Sequence, residues 1–378
     1  MNLQETTHDI NRLVTAYNQF GFKLLAELCE KNPETNVFIS SAGIAFSLAL
    51  IQNGAGGNTR KAIAKVLELP KASQRYINET SQKLFDDLIS LEHGQLSIAN
   101  SLWIDKGLSF DASFLKIARN FFKAEAATVD FNSTAAAQTI NTWVHRETKG
   151  KIATLIERSD LDQQTDFVLA GAVYFKGLWK VPFSKQETHR SIFHLPRNKK
   201  RSIWMMRQSS EHDYLKQNNF QAVRLRYTDD RISSYIFVPA DKVSLTDLLK
   251  EFQVESWNRW IQEFALNKVE ITVPRFKMTY EGELREALAH LGMGTAFDSG
   301  ADFSPMGLAG RYIGRIKHKS VAEFNEEGTE AAATTAIMMT RSLFEPPRIV
   351  VDRPFFWAIQ DQNTGLILFF GAVFDPGN

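Results

Sequence analysis

Helix-type and strand-type patterns are separated along this 378-residue chain instead of alternating. In the first third, apolar residues recur three and four positions apart, as on one face of a helix, at Leu13, Ala16, Tyr17, Phe20, Leu24 and Leu28. From about residue 95, runs that are long and apolar enough to be buried strands occur at Leu96–Ile104, Phe167–Phe175, Tyr235–Val238 and Leu366–Phe374. The chain has no internal repeat and no Pro/Gly linker, so the order of patterns predicts one large α+β domain over residues 1–378.

Composition and charge exclude several classes of protein. Lys and Arg total 44 against 43 Asp and Glu, a net charge of +1, so the chain as a whole has no attraction for nucleic acid. Even the apolar run Leu366–Phe374 is too short for a membrane helix, which needs about 20 residues. Cys29 is the one cysteine, which excludes an intrachain disulfide, and we expect neither a metal site nor a cofactor.

The first residues are polar and lack the apolar core of a signal peptide. We therefore expect either a cytoplasmic protein or the mature form of a secreted one, and the sequence does not decide between them.

No enzyme motif is complete. The glycine-rich stretch Gly54–Thr59 follows a predicted helix and lacks a Lys-Ser/Thr pair, whereas a phosphate loop follows a strand. Ser40 and Ser41 lack the Gly-x-Ser-x-Gly pattern of a nucleophile elbow. His318, beside Lys319, is interpreted as a hydrogen-bonded structural histidine in preference to a catalytic base. We therefore predict that the chain is not an enzyme.

The segment between Glu330 and Arg341 contains no charged residue, and Pro346-Pro347 ends any helix or central strand that would follow it. One interpretation is a short Ala-rich helix, although the β-branched residues Thr334, Thr335 and Ile337 disfavour it. The other is a segment that can enter a sheet. One face of such a strand would present only small or apolar residues, namely Thr329, Ala331, Ala333, Thr335, Ile337 and Met339.

Ordered motifs over nearly the whole chain resemble the serpins. They are Asn36–Ser40 leading to Gly54–Thr59, Ala99–Trp103, Asn141–Val144 with Thr148–Ile152, Val173–Trp179, Val273–Lys277, Ala301–Ser304, His318-Lys319, Glu326–Ala333 and Asp352–Phe355. The resemblance implies the serpin fold, a single large domain with a central, mostly antiparallel sheet, further β-sheets, eight or nine helices and an exposed reactive-centre loop. The loop and its hinge would occupy about residues 326–350.

The resemblance also implies an activity, the inhibition of a serine protease as a suicide substrate. The protease would attack the loop and form a covalent acyl complex, and the freed loop would then insert into the main sheet of a metastable fold. We expect a monomeric inhibitor. The small hinge residues favour insertion, because a charge on the inward face would oppose it; the hinge comprises Glu327, Gly328, Thr329, Glu330, Ala331, Ala332 and Ala333. The alternative is a non-inhibitory serpin that acts as a carrier, chaperone or storage protein.

The scissile bond is predicted to follow Arg341. The commonest family spacing from Gly328 places Ser342 before that bond, one residue later. Arg341 nevertheless suits the buried carboxylate in the specificity pocket of a trypsin-like protease. Cleavage after Ser342 would suit an elastase-like enzyme, and cleavage after Leu343 or Phe344 would suit a chymotrypsin- or subtilisin-like one.

The region where the main sheet would open departs from the family pattern. Ser40, His318 and the tryptophan Trp179 match it, but Gly171 stands where an Asn is expected. Ser41 likewise replaces a usual Pro and Gly43 a usual Ser. These changes predict that His318 lacks one of its partners.

The helix that binds glycosaminoglycans in some serpins would correspond to residues 72–91 here. It contains Asp86-Asp87 and few basic residues, so we do not expect a glycosaminoglycan partner.

Overall fold

The computed structural model describes residues 3–91, 94–161, 165–228, 230–327 and 345–377. Nine α-helices lie in these ranges: α1 (Leu3–Lys31), α2 (Ser41–Gly54), α3 (Gly57–Val66), α4 (Gln74–Leu88), α5 (Ala112–Phe122), α6 (Ala136–Glu147), α7 (Leu245–Leu249), α8 (Val254–Glu263) and α9 (Arg285–Leu288). The residues predicted as the hinge from Gly328 to Ala333, and the candidate reactive bonds from Arg341 to Phe344, lie outside the described residues.

Nine strands form the larger sheet: β1 (Val37–Ile39), β5 (His189–His194), β6 (Lys200–Lys216), β7 (Phe220–Arg226), β8 (Ile232–Pro239), β9 (Ala265–Pro274), β12 (Arg348–Val350), β13 (Phe355–Asp361) and β14 (Ile367–Val373). Their order is β1-β14-β13-β8-β7-β6-β9-β12, with β5 paired to β6. All neighbours are antiparallel except β12 and β9. β13 and β14 form a hairpin, and β14 lies within the apolar run Leu366–Phe374.

A second sheet contains β2 (Gln95–Asp105), β3 (Glu125–Val129), β4 (Phe167–Lys176), β10 (Phe276–Glu283) and β11 (Ile313–Phe324). Its order is β10-β11-β4-β2-β3. The β10–β11 and β4–β2 pairs are antiparallel, whereas the β11–β4 and β2–β3 pairs are parallel. The two central strands therefore run side by side in the same direction.

Helix α2 lies between the two sheets and is buried around its whole circumference. Every residue from Ser41 to Gly54 is buried, and the Ser40 side chain caps the helix by accepting a hydrogen bond from the Gly43 N–H at 3.2 Å. The helix contacts β14 of the larger sheet and β2 and β4 of the smaller one. Its N-terminus consequently lies under the centre of the five-stranded sheet.

Both faces of the five-stranded sheet are covered. On β4, Leu169 and Val173 face the main core, which includes α2. Val168 and Tyr174 face a second apolar cluster, to which α6 contributes Ile140, Trp143 and Val144. A strand added at the centre of this sheet would therefore be buried on both faces.

The predicted α+β class is confirmed, with nine helices among the described residues and a larger sheet that is antiparallel apart from the β9–β12 pair. In the five-stranded sheet, two of the four strand pairs are parallel. In the part of the chain that the structure describes, no helix is long and apolar enough to cross a bilayer. The same residues form no group of three or more His, Cys, Asp or Glu side chains that could hold a metal ion.

Candidate functional site

The central feature of the five-stranded sheet is the direct contact between β11 and β4. Their parallel register runs from Ile313 opposite Phe167 to Ala322 opposite Phe175, with one irregularity between Ile313 and Arg315. On its other edge, β11 pairs with β10 and β4 pairs with β2, both in antiparallel register.

At the carboxyl end of β11, the chain is fixed by the segment that follows β4. The Trp179 N–H donates to the Glu327 carbonyl at 3.2 Å, and the Phe183 N–H donates to the Glu326 carbonyl at 2.8 Å. The indole Nε1 of Trp179 donates to the Asn325 carbonyl at 2.8 Å. Three hydrogen bonds therefore fix the last described residues before the predicted loop.

Trp179 is held in turn by aromatic packing. Its ring stacks on Tyr227 with centroids 4.3 Å apart and lies 4.9 Å from the ring of Phe324, the last residue of β11. Trp179 and Tyr227 are both buried. Trp179 therefore packs at the carboxyl end of β11, and its role in the opening of the sheet stays a prediction.

The side chains of Glu326 and Glu327 add charged contacts at the same end. Glu326 is 4% exposed; its Oε1 accepts a hydrogen bond from Thr188 at 3.0 Å and lies 3.6 Å from the Arg275 guanidinium. Glu327, the first residue of the predicted hinge, forms an ion pair with Lys185. The start of the hinge is thus attached to the body of the protein by both backbone and side chains.

Three predicted residues of the opening region lie together at the middle of the five-stranded sheet. Gly171 and His318 belong to its two central strands, and Ser40 lies beneath them at the start of α2. His318 on β11 is opposite Gly171 on β4. The Ser40 backbone N–H donates to His318 Nε2 at 3.1 Å, and Ser40 Oγ donates to the Leu368 carbonyl at 2.8 Å. Trp179 lies apart from them, near Phe324, six residues and about 20 Å further along β11.

The protonation of His318 follows from this geometry. A backbone N–H can only donate, so Nε2 accepts and the ring proton of the neutral imidazole is on Nδ1. Burial lowers the pKa of His318 to about 3, because an apolar environment disfavours the charged ring. The structure therefore gives His318 a partner at Nε2 and a neutral, structural role.

Sequence reasoning did not assign a role to Asn100 and Ser47, which complete this cluster. Asn100 on β2 lies opposite Gly171 and is 3% exposed. Ser47 Oγ, on α2, donates to Asn100 Oδ1 at 2.8 Å and is 3.1 Å from the Gly43 carbonyl. Asn100 Nδ2 is buried and has no hydrogen-bond partner among the described residues. Asn100 could have been identified in the sequence as an amide side chain within the mostly apolar run Leu96–Ile104.

The substitutions at residues 41 and 43 also have structural explanations. Ser41 Oγ donates to the Ile367 carbonyl at 3.1 Å, so a side chain that proline cannot offer links α2 to β14. A Cβ atom at Gly43 would lie 2.6 Å from Val173 Cγ2 on β4. Because real side chains do not approach so closely, glycine allows α2 to pack directly against the central strand.

Comparison with known proteins agrees with this architecture. Residues 15–376 match the family model described as "Serpin (serine protease inhibitor)". Serpin B6 of Pongo abelii is 35% identical over 374 residues, 96% of this chain and 99% of that protein. The leukocyte elastase inhibitor of Xenopus tropicalis is 32% identical over 377 residues, 97% and 100% of the two chains. Among solved structures, human thyroxine-binding globulin in complex with its hormone superposes with a TM-score of 0.91 at 27% identity, covering 98% and 100% of the two chains.

Proposed function

This chain belongs to the serpin family, and from that premise we propose that it inhibits a serine protease as a suicide substrate. The protease would cleave the reactive-centre loop within residues 326–350 and form a covalent acyl complex. The freed hinge, starting at Glu327, would then insert between β4 and β11 and displace the attached protease. The single domain would span residues 1–378 and act as a monomer.

The observation that best supports this proposal is the parallel pairing of β11 with β4. A segment that continues from the carboxyl end of β11 and turns back between these strands would be antiparallel to both. One parallel pair would be replaced by two antiparallel pairs, which are slightly more stable per residue and add backbone hydrogen bonds. Insertion would therefore lower the free energy of the sheet.

The length and chemistry of the loop suit this slot. Residues 329–340 supply twelve residues, which is the length of β11, and would span about 40 Å as a strand. Because both faces of the sheet are covered by apolar clusters, an inserted strand needs small or apolar residues on both faces. The segment offers alanine, threonine, isoleucine and methionine, with Glu330 as its only charged residue.

The proposed target is a trypsin-like protease that cleaves after Arg341, since an arginine can form paired hydrogen bonds with a carboxylate in the specificity pocket. The first alternative target is an elastase-like enzyme that cleaves after Ser342, because one relative is named leukocyte elastase inhibitor. Leu343 and Phe344 would direct the loop to chymotrypsin- or subtilisin-like enzymes.

A non-inhibitory carrier is the second candidate function, because the fold also superposes on human thyroxine-binding globulin. The composition of the hinge favours inhibition over this candidate. Thr329, Ala331, Ala332 and Ala333 can all be buried in a sheet at little cost, whereas a carrier does not need an insertable hinge.

The test is to mix the protein separately with trypsin, pancreatic elastase and chymotrypsin, and to analyse the products on a denaturing gel. A band at the summed mass that resists denaturation is expected for at least one protease, with a released peptide whose mass shows that it begins at Ser342. Cleavage by all three without a complex, and without a rise in the thermal unfolding midpoint of the cleaved chain, would contradict insertion and favour the carrier.

A further inference from the structure

We propose that the hydrogen bond between Ser47 and Asn100 restrains the opening of the five-stranded sheet. This inference rests on the proposed function, because it concerns the insertion step of that mechanism. Asn100 is here a positioning residue, because the proposed role acts through the pairing of the sheet with α2.

Asn100 occupies the space that an Asn at position 171 would need. Gly171 lies between Asn100 and His318 in the sheet register. A Cβ atom at Gly171 would lie 3.3 Å from Asn100 Oδ1, 3.6 Å from Ser47 Oγ and 3.8 Å from His318 Nδ1. The next strand therefore supplies an amide to the same cluster, and glycine at position 171 makes room for it.

The Ser47–Asn100 hydrogen bond crosses the boundary that insertion would move. On one side, β11 is attached to β1 and to the start of α2, through Ser40 N–H to His318 Nε2 at 3.1 Å and Ser320 Oγ to the Phe38 carbonyl at 2.5 Å. On the other side, β4 and β2 are paired along ten residues and would move together. When they part from β11, Ser47 stays with α2 and Asn100 leaves with β2.

Opening the sheet would therefore break this bond while the two bonds that attach β11 remain. Both partners are buried, so no solvent replaces the bond at the moment of opening. A buried side-chain hydrogen bond of ordinary strength corresponds to about a fivefold to tenfold change in rate when it is lost. The bond would thus slow opening without affecting the final inserted state.

The test measures insertion without a protease. A synthetic peptide with the sequence of residues 329–341 is incubated with the full-length protein, and incorporation is followed by native gel mobility and by the appearance of a heat-resistant form. Ser47→Ala and Asn100→Ala should each take up the peptide about fivefold to tenfold faster than the unchanged protein. The double variant should be no faster than the quicker single variant, because both changes remove one interaction.

A matched control is the buried pair Asn53 and Asn78, whose side-chain amides exchange two hydrogen bonds of 2.8 Å. Asn78→Ala should lower the unfolding midpoint without accelerating peptide uptake. If Ser47→Ala and Asn100→Ala behave like Asn78→Ala, losing stability at an unchanged uptake rate, their role is only structural and the inference is wrong.

The exchange variant Asn100→Gly/Gly171→Asn adds an independent measurement. It returns one amide to the shared space from the other strand, so its uptake rate should approach that of the unchanged protein. A folded exchange variant as fast as Asn100→Ala would overturn the assignment. Failure of the proposed function would give a different result from failure of this inference. The unchanged protein would then form no covalent band with any protease, whatever the peptide uptake rates of the variants.

Discussion

The rings of Trp179 and Tyr227 stack with their centroids 4.3 Å apart and an angle of 21° between their planes, next to the backbone hydrogen bond that Trp179 donates to Glu327. Trp179 also donates from its backbone N–H and from Nε1 to the residues that follow β11. One side chain therefore links the aromatic core to the start of the hinge. Release of the hinge and packing of this tryptophan should be coupled.

Trp179→Phe tests that coupling. The substitution removes the Nε1 donor and part of the stacking on Tyr227, so the free energy of unfolding should fall by about 1–3 kcal/mol. Spontaneous conversion to a heat-resistant, loop-inserted form should also become faster. Thermal unfolding and native gels at 37 °C measure the two effects. Trp204→Phe is the control, since Trp204 is 47% exposed on β6; equal effects of both changes would contradict the coupling.

Thr329→Arg should convert the inhibitor into a substrate. An arginine on the inward face of the inserted strand would be buried without a partner, which costs several kcal/mol and slows insertion below the rate of deacylation. The protease should then cleave the chain and be released active, as seen on a denaturing gel and by its residual activity. Thr35→Arg, on an exposed turn after α1, should leave inhibition unchanged. Full inhibition by Thr329→Arg would exclude insertion in the proposed register.

Arg341→Ala should abolish the inhibition of trypsin-like proteases. The alanine cannot form the paired hydrogen bonds that an arginine makes with a buried carboxylate, so the association rate should fall by about a hundredfold or more. Progress curves of trypsin with a chromogenic substrate measure this rate. Arg348→Ala, at the exposed start of β12, is the matched control. Unchanged trypsin inhibition by Arg341→Ala would move the scissile bond to Ser342 or beyond.

Acid should destabilise the fold through two buried histidines. Burial lowers the pKa of His318 to about 3 and that of His212 to about 4, below the value of about 6.5 in an unfolded chain. The unfolded chain therefore binds more protons between these values. Stability should be unaffected by these groups above pH 6.5 and should fall as the pH drops toward 3, by up to about 1.4 kcal/mol per pH unit for each histidine.

Urea unfolding of the wild type and of His318→Gln between pH 4 and 8 measures this dependence. The variant should show a shallower loss of stability below pH 6.5, because glutamine does not titrate. His194→Gln, at an exposed position of β5, is the matched control for the substitution itself. Identical slopes for all three proteins would show that His318 does not contribute to acid sensitivity.

The sequence pattern predicted the central strands because most of their residues are apolar. Phe167–Phe175 and Leu96–Ile104 became β4 and β2. The long strand β6 was not predicted, since Met205 and Met206 are consecutive buried residues that interrupt the two-residue period on which strand prediction depends.

The group of buried residues around Gly171, namely Ser40, Ser47, Asn100 and His318, could be predicted only in part. Ser40 and His318 were identified by their motifs, and the departure at Gly171 was visible in the sequence. The position of Asn100 opposite Gly171 was not, because it depends on the register of β2 and β4. Such a contact between distant residues is decided by strand pairing, on which local periodicity provides no information.

The pairing of β1 with β14 places Val37 opposite Ala372 and so joins the N-terminal part of the chain to its C-terminal part. This pair can therefore form only when synthesis of the chain is nearly complete. During translation, β1 and the wholly buried helix α2 emerge from the ribosome on the order of tens of seconds before their partner strand, at the usual rates of elongation. Throughout that interval the nascent chain exposes surface that is buried in the finished protein. Protection by chaperones should consequently matter more for the yield of this protein than for its stability once folded.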